Sequence, residues 1–127
     1  MTEQTNNIHD VLTIGVPVSD QDRALKFYVE TLGLEKRRDL PVPQLGRWIE
    51  VAPPGAAVTI ALVPERDKAP AGVETGIRLK AHDAAAVHGE LQTRGVEVGE
   101  LLRWPGVPPM FLLHDPDGNG LEIVETA

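Results

Sequence analysis

Two stretches of this chain match each other at a fixed offset of 63 residues, and a repeat of that length leaves few folds open. Residues 48–55 (WIEVAPPG) lie over residues 111–118 (FLLHDPDG), in each case an apolar run stopped by a turn carrying Pro and Gly. Pro presets φ and Gly accepts positive φ, so each turn reads as a hairpin connection. A second short run follows each turn, residues 58–62 over residues 121–125, which completes the hairpins.

The same offset sets Asp20 over Asp83, and each is a short acceptor placed to cap a helix. Leu25, Tyr28, Val29 and Leu32 then keep i, i+3, i+4, i+7 spacing up to Gly33, which predicts a first helix over 20–32. Ala84, Val87, His88 and Leu91 repeat the pattern up to Gly95, which predicts a second over 83–94. β-rich runs precede the helices at 11–18 and 75–81, and others follow them at 34–40 and 96–102. Each half is therefore β, α, β, β, β. The expected organisation is a polar tail over 1–10, a first module over 11–63, a charged linker with two Pro over 64–74 and a second module over 75–127. Half of the chain is too small to be stable alone, so the two modules make one α+β domain.

Composition narrows the partners. A net charge of -7 argues against nucleic acid and anionic membranes, both of which require clustered Lys and Arg. With no cysteine there is no disulfide, thiolate nucleophile or Cys metal cluster. The first ten residues are polar and no apolar run approaches a membrane span, so the cytoplasm is the expected location.

Val18-Ser19-Asp20 before an amphipathic helix, Phe27-Tyr28 within it, Leu32-Gly33-Leu34 at its end and Asp115-Pro116-Asp117-Gly118-Asn119 before the last strand form an ordered set. In that set the chain resembles the vicinal oxygen chelate (glyoxalase/bleomycin resistance protein/dioxygenase) superfamily over roughly residues 11–125. The resemblance implies that each βαβββ module curls into part of an open half-barrel around a groove. It also implies a homodimer, since members commonly complete the groove by pairing modules and open strand edges need covering. Metal-using members draw ligands from the first and last strand of each module. Carried onto this sequence, those positions are Thr13, Thr59, Gly76 and Glu122, of which only Glu122 is an ordinary ligand for a divalent transition metal. The expectation is no metal and no cofactor.

Among individual residues, Glu122 lies between Leu121 and Ile123, one step in from a turn, and is a candidate base with a raised pKa or an anchor for a ligand. Its position equally suits a water-facing residue in an alternating strand. Aromatic residues make up only 4% of the chain, so Trp48, Trp104 and Phe111 are candidate walls of an apolar pocket or, alternatively, ordinary core. Arg47 and Glu50 flank Trp48 and are candidate polar anchors or an outward face, and strand parity lets only one of the pairs Trp48/Glu50 and Arg47/Ile49 point inward. Thr13 and Thr59 are carried as candidate ligand contacts from the positions above. His82 and His88 lack ligand spacing, and a Ser-based triad has no partners. Two functions follow from these residues. One is a metal-free, bleomycin-resistance-like protein that binds a small, mostly apolar organic molecule; the other is a lyase, isomerase or dioxygenase, metal-dependent through other ligands or metal-free through Glu122.

Overall fold

Alternating apolar residues and two capped helices give two similar layers, one per half. The structure, a computed structural model, describes residues 7–127; the first six residues of the expected polar tail lie outside the described residues. The first half comprises β1 (Thr13–Val18), α1 (Gln21–Lys26) running into a π-helical turn (Phe27–Thr31), β2 (Glu35–Val42), β3 (Gly46–Ala52) and β4 (Thr59–Pro64). The second comprises β5 (Glu74–Ala81), α2 (Ala84–Thr93), β6 (Glu97–Val98), β7 (Met110–His114) and β8 (Gly120–Glu125). Each half forms a four-stranded sheet, β1-β4-β3-β2 and β5-β8-β7-β6, whose first and last strands pair in parallel while the other neighbours are antiparallel. This is the expected α+β pair of βαβββ modules.

Both predicted caps are in place: the Asp20 carboxylate accepts from Arg23 N and that of Asp83 from Ala86 N, each at 3.0 Å. Such a cap contributes about 1 kcal/mol. The first helix departs from a regular α-helix in its last turn, where Leu32 N bonds to Phe27 O five residues back. The widened turn carries Tyr28, which is fully buried. Helix α1 packs on β3 and β4, and α2 on β7 and β8. Alternate strand residues fill the core, Val16, Ile49 and Leu62 in the first sheet and Phe111, Leu113 and Leu121 in the second.

The strand expected over 96–102 is only two residues long. The chain leaves the ladder at Gly99, whose carbonyl meets His88 Nε2 at 2.8 Å, and returns only as a single bridge between Leu102 and Met110. The carbonyl that would have continued the ladder is taken by a side chain.

The Asp115–Asn119 turn joins the halves. Gly118 there adopts φ +84°, as such a turn demands. Tyr28 donates its hydroxyl to Asp115 at 2.8 Å, and Arg23 pairs with Asp117 at 2.8 Å. Burial, with the Asp115 charge and hydrogen bond, pushes the Tyr28 hydroxyl pKa far above its ordinary value, so it stays a donor at any working pH. Asn119, also fully buried, receives Gly72 N and Val73 N on its amide oxygen and donates to Pro17 O and Asp115. One turn thus ties together β1, the π-helical turn, the segment before β5 and β8.

Candidate functional site

Strand pairing brings Thr13, Thr59, Glu50 and Trp48 together on the face of the first sheet opposite α1. Thr13 stands opposite Thr59 in the parallel ladder, and Glu50 opposite Ala61 in the next. Trp48 Nε1 donates to Glu50 Oε2 at 2.6 Å. Thr59 Oγ1 lies 2.8 Å from Glu50 Oε1 and 2.7 Å from Thr13 Oγ1. A carboxylate only accepts, so the single Thr59 proton goes to Glu50 and the Thr13 contact is made on the Thr59 lone pairs. Burial alone would push the Glu50 pKa up, but the Trp48 and Thr59 hydrogen bonds, with the charge of Arg38 across the ladder, more than reverse it and leave Glu50 below the usual range. Glu50 is an ionised anchor that fixes the indole, with Leu40 beside Trp48 on the neighbouring strand.

The second sheet differs from the expected arrangement in two ways. Before the register shift in β5, Glu74 pairs with Gly120, a spacing that would set Gly76 opposite Glu122. Gly76 instead adopts φ +76° and the ladder slips there, so that Arg78 is the residue opposite Glu122. Arg78 Nε lies 3.1 Å from Glu122 Oε1. The position expected to be empty of side chain therefore holds a guanidinium, and the Glu122 carboxylate is answered by a cation.

Phe111 takes the second of its two readings, ordinary core: it is buried between its sheet and α2, in an edge-on contact with the His88 ring at 4.8 Å. The reason is a change of offset within the repeat. Val51 pairs with Ile60 and Phe111 with Ile123, so between β4 and β8 the offset is 63, whereas between β3 and β7 it is 60. An odd difference exchanges the faces of a strand. Phe111 takes the place of Val51, and the place of Trp48 falls on Pro108, ahead of β7. Trp104, on the loop before β7, is 60% exposed and makes no hydrogen bond with Trp48, Glu50, Thr13 or Thr59.

Between the modules runs a groove of about 680 Å³, bounded by Val11 and Ile14 at the start of β1, the β3–β4 turn, and β5 from Gly76 to Lys80. Arg78 and Lys80 are the charged residues on its wall, and sequence reasoning missed both. The available signal was a glycine inside a strand pattern, which marks a bulge and makes register counted across it unsafe.

The ancestral metal positions now read Thr13, Thr59, Arg78 and Glu122. Two hydroxyls, a guanidinium and one ion-paired carboxylate do not form the donor set of a divalent transition metal. Among the described residues no three His, Cys, Asp or Glu side chains come together to hold one. No helix among them is long and apolar enough to cross a membrane.

The paired βαβββ modules and the ancestral positions at their strands define a class. The chain belongs to the Glyoxalase/Bleomycin resistance protein/Dioxygenase superfamily, which it matches over residues 10–123. Among solved structures it is similar to TnmS3, an antibiotic binding protein from Streptomyces sp. CB03234, at 36% identity and TM-score 0.86, covering 97% of this chain and 100% of that one. A glyoxalase/bleomycin resistance protein from the same organism is 37% identical with TM-score 0.79, covering 91% and 99%. YetH of Bacillus subtilis (strain 168) is 31% identical, covering 88% of this chain and 94% of its own.

Proposed function

We propose that this protein binds a small, mostly apolar organic molecule without the help of a metal, in the manner of the bleomycin-resistance branch of its superfamily. The observation that carries the reading is the chemistry of the four ancestral positions: one pair is two threonines, and the other is Arg78 with Glu122, whose carboxylate faces a guanidinium rather than a metal. The description of TnmS3 as an antibiotic binding protein supports it, as does an aromatic wall held rigid by Glu50. The ligand lies against Trp48, with Thr13, Thr59 and Glu50 as polar neighbours, and the exposed Trp104 on the loop before β7 is a second aromatic contact. Glu122 serves as counter-ion to Arg78. The working form is a cytoplasmic homodimer in which a second copy covers exposed apolar residues such as Leu12 and Leu40.

Titration of a library of natural-product antibiotics against intrinsic fluorescence tests the reading, because Trp48 and Trp104 are the chain's two tryptophans. Binding of at least one member should quench the emission, and Trp48→Leu should weaken it about tenfold while leaving the fold intact. A ligand bound by the Trp48→Leu and Trp104→Leu variants as tightly as by the wild-type protein would remove the site from these residues. Light scattering should return twice the 13.8 kDa chain mass, and a monomer at micromolar concentration would refute the dimer.

A further inference from the structure

The groove between the modules has a charge that the rest of the chain does not prepare for. The protein carries a net charge of -7, yet the two charged residues on the groove wall are both cations, Arg78 and Lys80, set among apolar neighbours such as Ile14, Val58 and Leu79. Both stand on the same face of β5, two residues apart, which separates them by roughly 7 Å along the strand. Arg78 is mostly exposed and only partly engaged: Nε faces Glu122 and Nη1 reaches Gly76 O at 3.3 Å, while Nη2 has no partner among the described residues. Lys80 makes no ion pair among them either. Two donors with unspent capacity at the edge of an apolar wall suit an amphiphile whose acidic group meets the cations while its body lies on the wall.

We propose that the inter-module groove selects ligands that carry an acidic group on an apolar body, with Arg78 and Lys80 as the residues that read the acid. The inference rests on the reading of this protein as a small-molecule binder and adds to it a groove whose wall does not include Trp48, Thr13, Thr59 or Glu50. A guanidinium with one free edge offers a directed charge-assisted hydrogen bond, and Lys80 adds a mobile point charge beside it. Glu122 competes with the ligand for the same guanidinium, so it limits affinity for anions while keeping Arg78 in place when the groove is empty.

Two fluorescent probes separate the contributions: 1-anilinonaphthalene-8-sulfonate, which is anionic, and N-phenyl-1-naphthylamine, the same hydrophobe without the acid. The wild-type protein should bind the sulfonate at least about tenfold more tightly than the neutral amine, the worth of one charge-assisted hydrogen bond. Arg78→Gln and Lys80→Gln should each erase most of that preference without changing affinity for the amine, and Glu122→Gln should strengthen sulfonate binding. Thermal melts should be unchanged in the first two, whose side chains are exposed. Equal affinity for the two probes, or a parallel loss of both in Arg78→Gln, would overturn the selection of anions and leave the binding reading intact. Failure of both probes to bind at any concentration would overturn that parent reading as well. Sulfonate uptake that falls as the protein self-associates would show the groove to be covered by a second copy, which also overturns the proposal.

Discussion

Replacing Asn119 by Ala should destabilise the protein more than its single small side chain suggests. Asn119 is fully buried and uses all of its hydrogen-bonding directions at once: its oxygen accepts from Gly72 N at 2.8 Å and Val73 N at 3.0 Å, and its nitrogen donates to Pro17 O at 2.8 Å and Asp115 Oδ2 at 2.9 Å. Alanine leaves two amides, a carbonyl and one carboxylate direction without that partner. At about 1 kcal/mol for each neutral bond and somewhat more for the charged one, the loss is roughly 3–5 kcal/mol. That is a large part of the 5–15 kcal/mol typical of a whole domain. Urea unfolding followed by far-ultraviolet circular dichroism at neutral pH measures it directly, and the thermal midpoint should fall by roughly 10–20 °C. Asn119→Asp keeps the oxygen but loses both donations and sets a second charge beside Asp115, so it should be at least as damaging. Since this residue ties β1 to the segment before β5, ligand affinity should weaken in both variants even where they remain folded. A loss below about 1 kcal/mol in Asn119→Ala would show that the turn does not hold the modules together.

Glu50→Gln should lower stability at neutral pH, and the difference from wild type should shrink as pH falls. The folded-state pKa of Glu50 is depressed, so its contribution is complete above the unfolded value near 4.5 and is lost as pH drops through the folded value beneath it; denaturation curves across that range check the sign. Phe111→Ala should cost about 3–5 kcal/mol in the same denaturation assay with no selective effect on ligand binding in the protein that remains folded, since the ring fills the core against His88. A variant of normal stability with lost binding would return Phe111 to the groove.

The parts of the fold that could be read in the sequence are those that depend on local chemistry. Asp20 and Asp83 cap helices because a short acceptor before an amphipathic run has no better use, and the last turn holds Gly118 because its backbone needs positive φ. Thr13 and Thr59 keep the register counted from the sequence because their parallel ladder carries no bulge. The errors come from register, which local chemistry does not reveal. A single glycine conformation at Gly76 moved Arg78 into the ancestral position, and an offset three residues shorter between β3 and β7 turned Phe111 into the core while Trp48 stayed on the open face. The role of Asp115 was hidden for another reason. Its partner Tyr28 lies 87 residues away, on a helical turn whose widening leaves no mark in the apolar pattern.

Elemental analysis of the protein, purified without chelators, tests the central claim most directly. The donor set of Thr13, Thr59, Arg78 and Glu122 predicts Zn, Fe, Mn and Ni each well below one equivalent per chain, and no change on Glu122→Gln. One tightly held equivalent in the wild-type protein, lost on that substitution, would contradict the account and make this chain a metalloprotein.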